Sequence, residues 1–256
     1  MAHRSRPLDH EYELYVEREI ENYKESIPRR KLLGIGDLAV KALAAQQQLA
    51  LTEVLLCAEV DRIIRKRVRV TSYSAWCKRR VKTLKEYKTP GYWRLRPDGP
   101  LARAVARVAP GHVLVAGTGE EGPALYLAAN GCAVTALDTV EDAVERVMNA
   151  ALDVGLSGRV RGLVADLSSW TPDIPLNGMV CASAALSTLS SLERARVIER
   201  LQQATARGGL HLVSSGTDGD PRELLDELTA SYQGWRVAVE SEVATDGAFL
   251  AQKELS

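Results

Sequence analysis

The stretch Val113-Leu-Val-Ala-Gly-Thr-Gly-Glu-Glu-Gly-Pro-Ala-Leu-Tyr-Leu-Ala128, followed by Ala133-Val-Thr-Ala-Leu-Asp138, decides the fold. It reads as a buried strand, a glycine-rich turn, a helix, and a second strand that ends on an acid, the nucleotide-gripping half of a doubly wound α/β fold. Gly117 and Gly119 are expected to remove the Cβ atoms that would hold a ligand away from the backbone. The helix opening near Pro123 is expected to aim its unpaired N–H groups at the same place. Asp138 lies 19 residues past Gly119, close to the spacing at which a carboxylate accepts hydrogen bonds from ribose hydroxyls. An adenosine-containing cofactor is the expectation.

The glycines alone do not choose that cofactor, because Gly117-x-Gly119-x-x-Gly122 also satisfies the dinucleotide fingerprint. The order of the later elements is more informative. A helix (Val140 to Leu152) precedes Val160-Arg-Gly-Leu-Val-Ala-Asp166-Leu-Ser-Ser-Trp170. An apolar strand (Gly178 to Ala182), a helix (Leu192 to Ala204) and Gly208-Gly-Leu-His-Leu-Val-Ser-Ser215 come next. A helix at Pro221 to Ser231 leads to Trp235-Arg-Val-Ala-Val-Glu-Ser-Glu242 and a last short strand, Gly247 to Gln252.

This order, with Ala-Arg-Gly-Gly before the fifth strand and two strands after the last helix, resembles the class I S-adenosylmethionine-dependent methyltransferases. The segment Ala124 to Asp138 is most similar to the branch holding tellurite-resistance and other small-acceptor methyltransferases. The resemblance covers roughly Gly111 to Ser256 and implies a seven-stranded Rossmann-like sheet, S-adenosyl-L-methionine as cofactor, and methyl transfer to an acceptor it does not identify. Carried over residue by residue, it places Gly117 and Gly119 against the methionine part and Asp138 on the ribose. It places Asp166 on the adenine amino group and the backbone N–H of Leu167 on the ring. Two positions depart from the family pattern: Val115 stands where an Asp or Glu is usual inside the first strand, and Glu121 stands at the third glycine, with Gly122 one residue on. Two readings stay beside it. One is a nicotinamide-binding protein, although a dehydrogenase is expected to carry a substrate domain after its nucleotide half; the other is a nucleic-acid- or ribosome-binding protein that keeps the fold as a scaffold.

With 256 residues, 46% apolar and 26% charged, the chain has the composition of a globular protein that holds one sizeable domain and a smaller one. No run approaches the ~20 apolar residues of a membrane span, and the first residues lack the apolar centre of a secretion signal, so a cytoplasmic protein is expected. Cys57, Cys77, Cys132 and Cys181 form no C-x-x-C pair and have no histidine at ligand spacing, which points away from a metal site.

A formal net charge of zero hides a division. Residues 1–100 carry 21 Lys and Arg against 13 Asp and Glu, while residues 101–256 carry 12 against 20. Between Arg62 and Arg96, 13 basic residues meet only Glu86. The first hundred residues read as a helical domain: apolar positions at helical spacing over Tyr12 to Tyr23, a stop at Pro28, a helix from Asp37 toward Gln48, a third capped by Thr52, and a fourth over Thr71 to Tyr87. Residues 89–100, dense in Pro and Gly, read as the linker to a methyltransferase domain over 101–256. Lys78, Arg79, Lys82 and Lys85 on the fourth helix are the candidate contacts for nucleic acid or a partner through residues 62–96. Arg79 and Arg80 are placed near bases or phosphates, and Tyr73, Trp76, Tyr87, Tyr92 and Trp93 supply rings on which a single strand could stack. Docking of the basic segment on the acidic half is the other use of that charge. The histidines (His3, His10, His112, His211) fall in no expected active-site loop and Cys181 reads as a buried thiol, so no catalytic base is named. An acceptor that is already nucleophilic, such as a thiolate or a metalloid anion, needs none.

Overall fold

The protein is seen in a computed structural model that describes residues 8–45, 53–107, 109–117, 119–214, 221–240 and 247–254. It divides into a helical unit, residues 2–83, and a larger unit beginning at Leu84.

The helical unit contains α1 (Leu8–Ser26), α2 (Arg29–Ala45), α3 (Glu53–Val68) and the greater part of α4 (Tyr73–Glu86). Val16 and Ile20 of α1, Ile35 of α2 and Ile64 of α3 form its core, ringed by Tyr12, Tyr15, Tyr23 and Val60. Their spacing is the helical one, which is why the first helix was legible in the sequence. The second helix begins eight residues earlier than the sequence reading placed it. Pro28 ends α1 and also starts α2, since its carbonyl accepts from the N–H groups of Lys31 and Leu32. The expected cap Thr52 and the stretch 46–48 lie outside the described residues.

The division between units falls inside α4, between Thr83 and Leu84, and residues 89–100 belong to the larger unit. The reason is local packing. Tyr87 is buried and its carbonyl accepts from Nε1 of Trp93 at 2.7 Å. The rings of Tyr87, Tyr92 and Trp93 pack on one another with centroids 4.8–5.4 Å apart. A short helical turn over Pro90–Trp93 holds this cluster against the sheet core.

The larger unit alternates strands and helices: α5 (Pro100–Val105), β1 (His112–Ala116), α6 (Gly122–Ala129), β2 (Ala133–Asp138), α7 (Glu141–Asp153), β3 (Val160–Val164), β4 (Leu176–Ala182), α8 (Ser183–Ser187), α9 (Ser191–Ala204), β5 (Thr205–Ser214), α10 (Pro221–Ser231), β6 (Trp235–Glu240) and β7 (Ala248–Lys253). The seven strands form one sheet in the order β3-β2-β1-β4-β5-β7-β6. Strands β1 to β5 run parallel, and β7 is antiparallel to both of its neighbours. Both faces of the sheet's centre are covered, so β1 and β4 are buried on both sides. Val113 and Val115 point into the core that includes α6 and α7, and Leu114 and Ala116 into the one that includes α8, α9 and α10.

Strand β1 lies between β2 and β4, with register Leu114 opposite both Thr135 and Met179. The chain leaves β1 toward β2 on one side and reaches β4 only after β3, so the connections part at the carboxyl ends of β1 and β4. A crevice at such a point is where ligands enter open α/β sheets.

Candidate active site

The two glycines of the turn after β1 do different work. Both take left-handed backbone angles, φ +62° at Gly117 and φ +63° at Gly119, which L side chains adopt at a cost. A Cβ on Gly117 would lie 2.4 Å from the Cβ of Ala185 in α8, so Gly117 makes room for the protein itself. A Cβ on Gly119 would meet nothing within 4 Å, so the open side of the turn is there. Gly122 opens α6 beneath the Trp93 carbonyl, 2.9 Å from where its Cβ would stand. Glu121 has ordinary helical angles (φ −75°, ψ −25°), so a side chain at that position places no strain on the turn. Val115 is 2% exposed within the apolar core, an environment that suits an aliphatic side chain.

Strand β2 ends at Asp138, half-buried, whose Oδ1 accepts the N–H of Val140 at 3.0 Å. That bond fixes one oxygen of the carboxylate. The loop behind it is held by Gly117 donating to the Leu137 carbonyl and Ala165 donating to the Asp138 carbonyl, each at 3.0 Å. Val140 keeps 55% of its surface exposed next to this carboxylate, an apolar face at the site that the sequence reading passed over.

Beyond β3, Asp166 is exposed and its Oδ1 accepts the N–H of Ser168 at 2.7 Å. Hydrogen bonds from Ser168 hold this carboxyl below the usual carboxylate range. Leu167 buries its side chain in the core and so anchors the loop. The guanidinium of Arg200 on α9 donates to the carbonyls of Ser168 at 2.8 Å and Trp170 at 2.6 Å, pinning the same loop from behind. Gly119, Asp138 and Asp166 thus stand at the carboxyl ends of three adjacent strands. Two strand spacings, about 10 Å, separate the first strand from the third, roughly the length of a nucleoside.

Arg146, exposed on α7, donates through Nη2 to the carbonyl of Gly119 at 3.3 Å. Nothing in the sequence marked it, since its partner is 27 residues away and is a backbone atom.

Other chemically active side chains are committed to the core. The thiol of Cys181 is fully buried, pushed up to about 12 by burial, and donates to the Ala182 carbonyl at 3.3 Å, which leaves it no nucleophilic role. His211 lies within β5 rather than at its start, and burial pulls it down to about 3. Its neighbours fix its tautomer. Thr205 donates to the Leu201 carbonyl, so it accepts from Nε2–H of His211 at 2.7 Å, and Tyr232 donates to Nδ1 at 2.7 Å. Trp235 and Phe249 complete the aromatic packing around Tyr232. His112 sits at the amino end of β1, opposite the glycine turn, with Nε2 2.8 Å from Thr135 Oγ1. An apolar cavity of about 20 Å³, bordered by Leu101, Val105, Val113 and Leu210, lies beneath α5 and holds no polar chemistry. Among the described residues no cluster of His, Cys, Asp and Glu could hold a metal ion, and no helix is long and apolar enough to cross a membrane.

On α4, Lys78, Arg79, Lys82 and Lys85 are all exposed, the last of them just past the division between units. Arg80 turns inward instead, to Glu11 at 2.8 Å, so it is not available to bases or phosphates. The rings expected to stack on a single strand are largely spent on each other: Trp76 lies against Tyr12 and Tyr15, and Tyr87 packs against Trp93.

Against this geometry, the sequence matches the family described as tellurite resistance protein TehB over residues 81–239, well over half of the chain. The chain belongs to the TehB family. That places it in the tellurite-resistance branch of the class I methyltransferases, with the seven-stranded sheet that branch shares. Among solved structures, the chain is similar to TehB from Haemophilus influenzae (16% identity, TM-score 0.50), the match covering 60% of this chain and 61% of that one. It is also similar to the glycopeptide N-methyltransferase MtfA complexed with S-adenosyl-L-homocysteine (14% identity, TM-score 0.50, 60% and 85% covered). At such identities these are likenesses of fold. No curated protein sequence matches the chain.

Proposed function

We propose that this TehB-family chain transfers a methyl group from S-adenosyl-L-methionine to an acceptor whose lone pair is already free at neutral pH. The observation that carries the reading is the open side of the turn at Gly119, flanked by the carboxylates of Asp138 and Asp166 at one edge of the sheet. The space beside Gly119 is open, and the donor set suits a nucleoside with a charged tail. Asp138 would take the ribose hydroxyls through Oδ2, Asp166 the adenine amino group, and the Leu167 N–H the ring. Val140 offers its exposed side chain to the adenine face. Gly117 and Gly119 would lie against the methionine part, with Arg146 holding the Gly119 carbonyl.

The sulfonium of the bound cofactor supplies an electrophilic methyl. The protein then has to align the acceptor and exclude water. Consistent with that modest demand, His112 and His211 are engaged away from the carboxyl edge and the Cys181 thiol is inert. The helical unit, in this reading, recruits the substrate or a partner, and four unpaired cysteines suit the reducing cytoplasm.

Calorimetric titration with S-adenosylmethionine, S-adenosylhomocysteine and NAD tests the cofactor. Saturable binding of the first two with none for NAD is expected. Binding of NAD alone would make this a nicotinamide protein, and binding of none of the three would leave the fold as a scaffold.

A further inference from the structure

We propose that the solvent face of α3 and α4 in the helical unit binds duplex nucleic acid through its phosphates, without reading bases. The inference does not rest on the methyl-transfer reading, because it involves residues of the helical unit alone.

The charge is concentrated and exposed. Arg65, Lys66 and Arg67 fill the last turn of α3, Arg69 follows in the connecting turn, and Lys78 and Arg79 stand on the second turn of α4; all six are exposed. One or two cations at a helix carboxyl end answer the helix dipole, but three there plus three more beyond it exceed that need. The nearby acids are mostly paired with other cations, and Glu59 alone of them also feels Lys66. Glu11 pairs with Arg80, Glu59 with Arg62, and Asp61 with Lys24. The remaining acids of α1 include Glu13, Glu17, Glu21 and Glu25, which recur every four residues on that helix's own solvent side. The unit is therefore bipolar, and a polyanion is repelled by α1 and attracted to α3 and α4.

The geometry also selects the kind of nucleic acid. Four residues, 69–72, join α3 to α4, with Arg69 in the left-handed conformation (φ +52°) that a glycine usually supplies. In a helix-turn-helix the first turn of the second helix reads base edges. Here that turn carries Tyr73 and Trp76, whose rings pack on Tyr12 at 5.2 and 5.4 Å, and Tyr12 donates to the Thr71 carbonyl at 2.8 Å. Trp76, packed against both Tyr12 and Tyr15, serves neither base reading nor the stacking by which single strands are held, and Tyr73 alone of the two keeps a large exposed surface, 41%. What is left outward is mainly charge on two helices, which fits the regular phosphate rows of a duplex.

The test is fluorescence anisotropy of the full chain with labelled duplex of about 20 base pairs, two helical turns, as DNA and as RNA, in two unrelated sequences, beside a single strand of equal length. Six contacts imply a log–log salt slope near −5, so affinity for duplex should fall by about three orders of magnitude between roughly 50 and 200 mM salt. Arg65→Ala/Lys66→Ala and Lys78→Ala/Arg79→Ala should each flatten the slope by about 1.8, and the quadruple variant should lose only about tenfold over the same range. These positions are exposed, so the variants should keep the far-ultraviolet spectrum and the S-adenosylhomocysteine affinity of the parent. Whichever of the DNA and RNA duplexes binds more tightly identifies the natural source of the phosphates, and either supports the proposal. It is overturned if no duplex binds at about 50 mM salt, if the quadruple variant keeps the parental slope, if single strands bind as tightly as duplex, or if one sequence is strongly preferred.

Discussion

Replacing Gly117 with alanine should cost far more than replacing Gly119, although the two share the same backbone region. At either site the left-handed angle costs an L residue about 1–2 kcal/mol. At Gly117 the new methyl would also stand 2.4 Å from the Cβ of Ala185, whereas carbon atoms rest about 3.5–4.0 Å apart. The next atoms of Ala185, at 3.6 and 3.8 Å, are in ordinary contact, so the conflict is between two methyl groups. Overpacking of that kind costs about 1–3 kcal/mol. Gly117→Ala should therefore destabilise by about 2–5 kcal/mol, a large share of the ~5–15 kcal/mol typical of a domain. Gly119→Ala should cost about 1–2 kcal/mol. Ala185→Gly removes one of the two methyls, so the double variant Gly117→Ala/Ala185→Gly should be about 1–3 kcal/mol more stable than the sum of the single effects. Urea unfolding of the four proteins measures this cycle, provided the slopes agree. Additive effects, or a Gly119→Ala cost equal to that of Gly117→Ala, would refute the role given to Ala185.

Two further outcomes concern the buried groups. His211 is held near 3 in the folded chain against about 6.5 when unfolded, so its contribution is complete above about pH 6.5 and is lost as the pH falls toward 3. Urea titrations from pH 7 to 4 should therefore show a fall approaching ~1.4 kcal/mol per unit from this group, a slope that His211→Gln flattens; a wild-type to variant difference constant with pH would count against it. With a thiol reagent at neutral pH, Cys57 and Cys77 should react in the native protein while Cys132 and Cys181 wait for unfolding, since burial raises both of the latter. Native labelling of Cys181 would mean that its strand is open to solvent.

Much of the geometry at the carboxyl ends of β2 and β3 could be read in the sequence because its parts are local. Asp138 and Asp166 each end or follow a strand within a regular βα alternation, and their fixing bonds run only two residues ahead, to Val140 and Ser168. What could not be read depends on distant partners. Gly117 faces Ala185, Arg146 is drawn to the Gly119 carbonyl, and Arg200 reaches back 30 and 32 residues to the Asp166 loop. Arg80 is indistinguishable in sequence from the exposed basic residues around it, because its partner Glu11 lies 69 residues away. The same holds for Trp76 and Tyr87, where aromatic residues beside arginines suggest a stacking platform and packing between helices has used them instead. The division inside α4 was hidden for a related reason: the Pro- and Gly-rich stretch that looks like a linker is packed down by its own aromatic rings.

The most direct measurement is the affinity of S-adenosylhomocysteine for wild type and for Asp138→Ala, by calorimetry. Because Oδ1 is occupied by the Val140 N–H, the ribose would lose a charge-assisted bond to the other oxygen, about 1.5–3 kcal/mol. The dissociation constant should therefore rise by roughly ten- to a hundredfold, with the unfolding midpoint changed far less than by Gly117→Ala. Equal affinity in the two proteins would take Asp138, and with it the carboxyl edge of β1 to β3, out of the cofactor site.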